Sequence, residues 1–186
     1  MDRSRLIAVS LTVVLALTLS AFAFAAHPNS NMASTSLNLN VKGEVTVVHI
    51  RDGVVLFKET SSNLITNAGK DFIAQQLGST SPASNGANYI ALSTDSTTPS
   101  ASDTTLAGEI TTGGLQRQQG TYSHTAGTNT FTVQKTFTAS ASFTGVQKAG
   151  LFTASAGGTM MAENTFSAVN LISGDQLQIT WTITIS

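Results

Sequence analysis

The residues that could carry catalysis or bind a metal are few and lie far apart along the chain. The three histidines, His27, His49 and His124, have no partner three or four residues away, and there is no cysteine to complete a zinc site. No G-x-S-x-G sequence marks a nucleophilic serine. We therefore expect no enzyme activity, no cofactor, and histidines that are solvated or singly hydrogen-bonded.

One loop has the residue types of a calcium site. From Asp95 to Asp103 the sequence offers two carboxylates, several hydroxyls and backbone carbonyls, which are the oxygen ligands that Ca²⁺ prefers. The spacing and the glycine of an EF-hand are absent. The alternative is an ordinary loop with Asx turns and a helix cap at Asp103. The sequence favours the ordinary loop and no metal, with Asp95 and Asp103 as weak calcium candidates.

Alternating apolar and polar residues predict an all-β framework around this loop. Residues 131–143 keep a period of two, with a bend or break expected near Ala139, and Leu177 to Ile185 alternate with Trp181 near the centre of the core. Arg117 to His124 predicts a further strand, and Gly43 is expected to interrupt the strand that starts at Leu37. Asp52-Gly53 is a strong hairpin signal. About eight to ten strands with polar turns indicate a mainly antiparallel β-sandwich or jelly roll.

A single short helix is expected inside this β domain, near residues 67–77. Thr66 or Asn67 can cap its start, and Gly78 can end it. The strands themselves carry rows of threonine. Such rows can bind ice or carbohydrate, but they more often form the solvated face of a strand, which is the interpretation favoured here.

The first 26 residues have the three parts of an export signal. A short basic start precedes an apolar stretch from Leu6 to about Phe24, and Ala23-Phe24-Ala25 fits the small-x-small pattern of signal peptidase. We expect an N-terminal signal helix that is cleaved after Ala25 or Ala26. The alternative is a retained membrane anchor, because Leu6 to Ala26 is long enough to cross a bilayer as a helix.

Behind the signal peptide (1–26) we expect a flexible leader (27–36) and a single β-sandwich domain (37–186). Cleavage would remove Arg3, Arg5 and Asp2 and leave 9 − 2 = 7 basic and 10 − 1 = 9 acidic residues, a net charge of −2. Only 10% of the chain is charged and no basic cluster exists, so nucleic acid is not an expected partner. A weakly charged surface repels its own copies little, which suits a protein that assembles.

The segment just behind the leader is the candidate for assembly. Leu37, Leu39 and Val41 alternate with asparagines, which predicts a half-buried strand. A strand in this position can complete the sheet of a neighbouring subunit by strand addition. We therefore expect a homopolymer that is secreted or held at the cell surface, with the membrane contacted only through an uncleaved signal segment.

Several motifs follow one another in an informative order. They are 63–69 before the helix, Tyr89 to Thr94, Thr98 to Leu106, Lys148 to Phe152, Gly158 to Phe166, and Gly174-Asp175 leading to Trp181. Taken together they resemble a family of small β-sandwich proteins found among phage tail-associated structural proteins and exported archaeal proteins, and the resemblance covers roughly residues 41–186. The resemblance implies a structural or assembly role and supplies no catalytic residues.

The leading hypothesis is a subunit of an extracellular filament or surface layer. A phage tail-like virion component is an alternative, but virion proteins normally assemble in the cytoplasm, so an export signal favours a host surface protein. A secreted adhesin or carbohydrate-binding module that uses loops 79–88 and 95–103 is the other alternative.

Overall fold

The computed structural model describes residues 39–82 and 85–186. The predicted signal peptide and leader, together with Leu37, lie outside the described residues. The described elements belong to one compact unit, Leu37–Ser186. They form two five-stranded sheets whose strand pairs are all antiparallel, with a single helix, so the predicted all-β sandwich class is confirmed.

The elements are numbered in chain order, and the strands divide into two sheets. Sheet A has the order β2-β1-β10-β7-β6, and sheet B has the order β3-β9-β8-β4-β5. The bounds are β1 (Val41–Arg51), β2 (Val54–Ser62), β3 (Leu64–Ile65), α1 (Asn67–Gly78), β4 (Tyr89–Ser93), β5 (Gln118–Gln119), β6 (Thr121–His124), β7 (Thr130–Thr138), β8 (Phe143–Phe152), β9 (Met160–Leu171) and β10 (Gln176–Ile185).

The first hairpin forms where the sequence predicts it. Asp52 and Gly53 both have positive φ, 50° and 78°, as the two-residue type I′ turn requires. The turn joins β1 to β2, and β1 also pairs with β10 on its other side. Gly43, expected to interrupt this strand, instead lies inside it opposite Ile183. A side chain there would collide with the amide of Asn63, so glycine allows the β2–β3 connection to pass closely.

The core lies between the two sheets, and β10 supplies its centre. Four of the five apolar residues predicted to face inward, including Trp181, have no exposed surface. The fifth, Ile185, is 39% exposed. It lies near the end of β10, where the two sheets leave a gap in the core. The four buried residues are Leu177, Ile179, Trp181 and Ile183.

Helix α1 starts at a cap that also pins it to sheet B. The Oγ1 of Thr66 accepts a hydrogen bond from Gly69 N at 2.9 Å and donates one to Met160 O at 2.5 Å. A side chain on Gly69 would run into the carbonyl of Met161, so only glycine allows the helix to approach β9 this closely. The predicted helix over 67–77 is therefore confirmed, and its position against β9 is fixed.

Two predicted strands are each divided where the chain passes from one sheet to the other. The break near Ala139 is confirmed: β7 ends at Thr138, and Ala139 bonds instead to Asp175 O and Gly174 N. The strand expected over 117–124 is wrong as one element, because the chain passes from sheet B to sheet A at Gly120. A Cβ there would lie 2.7 Å from Val133 Cγ1, so glycine allows the crossing.

Candidate assembly surface

The described chain begins beside the end of β10. Asn40 and Ser186 exchange two backbone hydrogen bonds of 2.6 and 2.8 Å, and Val41 pairs with Ile185. Val41 is therefore part of its own sheet. Leu39 precedes this pairing and is 60% exposed. Of the three predicted assembly residues, the structure places Val41 inside the sandwich and Leu39 at its surface, while Leu37 lies outside the described residues.

Two apolar grooves flank helix α1 and share its residues Ile73 and Leu77. The β1-side groove, about 330 Å³, is bordered by Leu39 and Val41 together with Ile65. Leu39 and Val41 are two residues apart in an extended segment, so their side chains share one face. The alternation that the sequence showed is therefore directed toward α1, which the sequence did not predict.

The β6-side groove is larger, about 530 Å³, and opens at the gap between the sheets. Its walls come from α1, from the loop ahead of β4, and from the ends of β6, β7, β9 and β10. The lining residues are Phe72, Ile73, Gln76, Leu77, Gly86, Ala87, Asn88, Tyr122, Phe131, Met161 and Ile185. None of these described residues carries a charge.

Exposed apolar side chains gather at the rim of the β6-side groove. Leu77 is 71% exposed and Tyr122 is 57% exposed. The Tyr122 and Phe131 rings stack with their centroids 5.7 Å apart. A rim of this kind on an otherwise polar protein marks an interaction site. The grooves are accordingly the candidate assembly surface.

The ammonium group of Lys148 contacts the loop that carries the calcium candidates. Lys148, on β8 and 1% exposed at its side chain, donates from Nζ to Asp95 Oδ1 at 2.6 Å and to Thr97 Oγ1 at 2.9 Å. Asp103 accepts a bond from Ser100 N, as an Asx-type loop would. Calcium binding at Asp95 and Asp103 stays a prediction, and the ion would have to compete with the Lys148 ammonium.

A second carboxylate approaches the same lysine from β9. Glu163 is 1% exposed, and its Oε1 lies 3.3 Å from Lys148 Nζ. Burial, together with the nearby Asp103 carboxylate, raises the pKa of Glu163. The hydrogen bond from Lys148 lowers the pKa of Asp95 to about 2, so Asp95 is the ionised partner of the lysine at neutral pH. This cluster joins the loop after β4 to strands β8 and β9.

A further carboxylate, that of the buried residue Asp175, holds the turn into β10. Asp175 accepts two hydrogen bonds from the Arg51 guanidinium, both 2.7 Å, and one from Ile172 N at 2.9 Å. His49 Nε2 lies 2.9 Å from the same carboxylate. The Arg51 bonds hold the pKa of Asp175 well below its usual range. The singly hydrogen-bonded state expected for His49 is confirmed, and Asp175 fastens β1 to β10.

The threonine rows lie on the outer face of sheet A and bond to one another. Thr46 and Thr60 are joined through their hydroxyls at 2.8 Å, and Gln134 donates to Thr180 Oγ1 at 3.0 Å. Because these polar groups satisfy each other across strands, the rows stabilise the sheet. This agrees with the interpretation of the threonine rows as the solvated face of the strands.

The described histidines and carboxylates do not have the arrangement that a metal site with three or more protein ligands requires. No three of the described His, Asp and Glu residues are arranged to hold a metal ion. Within the same described ranges, no helix has the length and apolar character that a bilayer crossing requires. The predicted processing residues Ala23, Ala25 and Ala26 lie outside the described residues.

Comparison with known proteins identifies the family of the sandwich. No curated protein and no solved structure matches the chain. The sequence profile of one family, described as Podophage GP4 fiber I protein gp80, matches residues 61–184, which run from the end of β2 nearly to the end of β10. The predicted likeness to phage tail-associated structural proteins is thereby confirmed. Since 184 − 61 + 1 = 124 of the 186 residues are matched, the chain belongs to the podophage GP4 fiber I protein gp80 family.

Proposed function

We propose that this protein is a non-enzymatic structural subunit that assembles with copies of itself into an extracellular fibre. The observation that carries the proposal is the match to a fibre-protein family over two thirds of the chain. The buried ionic groups support it as well. Lys148, Glu163 and Asp175 each bridge separate parts of the sandwich, which is a stabilising role.

The surface is suited to contacts between copies. Charged residues make up only 10% of the chain, so like-charge repulsion between subunits is weak. The apolar grooves beside α1 supply area that gains free energy when it is covered. A fibre subunit needs both properties, because it must contact its neighbours along the whole assembly.

The connecting element of the proposal is the segment that ends at Leu39. Asn40 and Val41 pair within their own sheet, so these two residues are removed from the assembly strand predicted for 37–41. Residues 37–39 are left to contact a neighbour, with the preceding leader as a tether. Of these, Leu39 is the described residue and is largely exposed.

The place of assembly is also part of the proposal. The export segment supports a fibre that forms outside the cell after cleavage at Ala25 or Ala26. A phage tail-like virion component is the second candidate, and the family match favours it. An adhesin that uses loop 95–103 has less support, because Lys148 occupies the carboxylate of Asp95 in that loop.

Deleting residues 27–38 is expected to give a folded monomer that no longer polymerises. The deletion leaves every described strand intact, so thermal unfolding should stay within a few degrees of the wild type. Light scattering and size-exclusion chromatography of the exported protein would measure the change.

The matched controls distinguish the effect of the apolar side chains from the effect of the length of the leader. Replacing Leu37 and Leu39 together with asparagine should reproduce the deletion, whereas Asn38→Thr should assemble like the wild type. Full-length fibres from the deletion variant would show that the leader is not the connecting element.

A further inference from the structure

The β6-side groove is a gap in the hydrophobic core that the described chain leaves open. Phe72, Phe131 and Met161 belong to the core or pack against it, and the same side chains line the groove. An opening of about 530 Å³ falls in the range of pockets that enclose a drug-sized ligand, so it has room for a few side chains of a peptide. Water in this gap contacts mostly apolar atoms, so covering the groove is favourable.

The chemistry of the groove restricts its occupant. Its described lining has no charged side chain, and its polar groups include the amides of Gln76 and Asn88. A charged peptide would lose hydration there without gaining an ionic partner. The occupant must therefore be uncharged, with apolar side chains for the floor and with amide or hydroxyl groups for the rim.

Residues 27–38 of the chain have this composition. They contain no Asp, Glu, Lys or Arg, and they combine Met32 and Leu37 with asparagines, serines and a threonine. Leu37 lies two residues before Leu39 in the sequence, and in an extended segment it would share the side-chain face that Leu39 and Val41 direct toward α1. Fully extended, 12 residues span about 40 Å, enough to reach beyond one sandwich.

We infer that the β6-side groove receives the residues that precede Leu39 in a neighbouring copy. This inference rests on the proposed fibre function and names the acceptor for its connecting segment. The chain's own Leu39 and Val41 lie on the β1 side of the Ile73–Leu77 ridge, and the open groove lies on the other side. A head-to-tail contact of this kind repeats without closing, which is how a heterologous interface builds a filament.

Two complementary variants test the inference. The deletion of residues 27–38 keeps the groove and loses the segment, while Tyr122→Glu keeps the segment and places a charge on the exposed rim of the groove, at a residue that does not line the β1-side groove. Each variant alone should be monomeric, and an equimolar mixture should form a dimer that grows no further. Analytical ultracentrifugation would measure the three masses.

Two further variants show whether a loss of assembly comes from the groove itself. Ser123→Glu adds the same charge to an exposed β6 position outside the groove and should assemble like the wild type. Tyr122→Ser removes the same rim side chain and should weaken assembly at least tenfold without the introduction of a charge. Unchanged circular dichroism spectra would show that both groove variants remain folded.

The outcomes separate this inference from the proposed function. If the wild type polymerises and Tyr122→Glu polymerises equally well, the groove is not the acceptor, although the fibre function stands. Two monomeric variants whose mixture stays monomeric would also overturn the inference. A wild type that is monomeric at every concentration would overturn the proposed function itself.

Discussion

Replacing Asp175 with alanine is expected to lower the free energy of unfolding by about 3 kcal/mol, because removing one member of a buried ion pair strands its partners. Arg51 and His49 would lose their acceptor, and Ile172 N would lose the bond that shapes the turn into β10. Urea unfolding at pH 7 would measure the change. The matched control is Asp52→Asn, in the exposed β1–β2 turn, which should change the free energy by less than about 0.5 kcal/mol.

Asp175→Ala should also change how the free energy of unfolding falls at acidic pH. The pKa of Asp175 is depressed in the folded protein, so its contribution is present above the normal aspartate range and lost as pH falls through the folded-state pKa. Below about pH 4 the wild type should therefore lose stability more steeply than Asp175→Ala. Parallel curves between pH 5 and 2 would show that the Asp175 carboxylate does not fasten β1 to β10.

Replacing Lys148 with methionine is expected to cost about 3 kcal/mol at pH 7, because Glu163 would be left buried without a cation. The pKa of Glu163 is already raised by burial, and loss of the lysine charge would raise it further. A raised pKa gives stability that is present at low pH and lost as pH rises. The destabilisation should therefore be smaller at pH 4.5 than at pH 7.

A second variant distinguishes the charge effect from lost packing. Adding Glu163→Gln to Lys148→Met removes the stranded charge and should recover at least about 1 kcal/mol. Urea unfolding of both variants at the two pH values would measure the recovery. A double variant no more stable than Lys148→Met would mean that packing, and not the buried carboxylate, causes the loss.

Local sequence signals predicted the elements of the fold well. The alternation in β7 and β10, the Asp52-Gly53 turn and the cap at Thr66 are each set by neighbouring residues, so a single sequence carries them. The crossing at Gly120 was missed, because its cause is the approach of Val133, which is distant in the chain.

Local sequence signals could not predict the buried ionic clusters or the grooves. Lys148 is separated by 53 residues from Asp95, and His49 by 126 residues from Asp175. In the sequence each of these residues occupies an ordinary strand or turn position. The β6-side groove likewise combines residues of four strands and one loop with residues of α1. Its existence therefore follows only from how the two sheets meet. The alternation of Leu37, Leu39 and Val41 was the one local sign of the assembly surface.

The most direct test of the central claim is negative-stain electron microscopy of the purified protein that begins at His27, with its mass in solution measured alongside. The account predicts fibres of uniform width, together with a mass in solution that increases with protein concentration. A single species with the mass of one chain, with no fibres at any concentration, would contradict it.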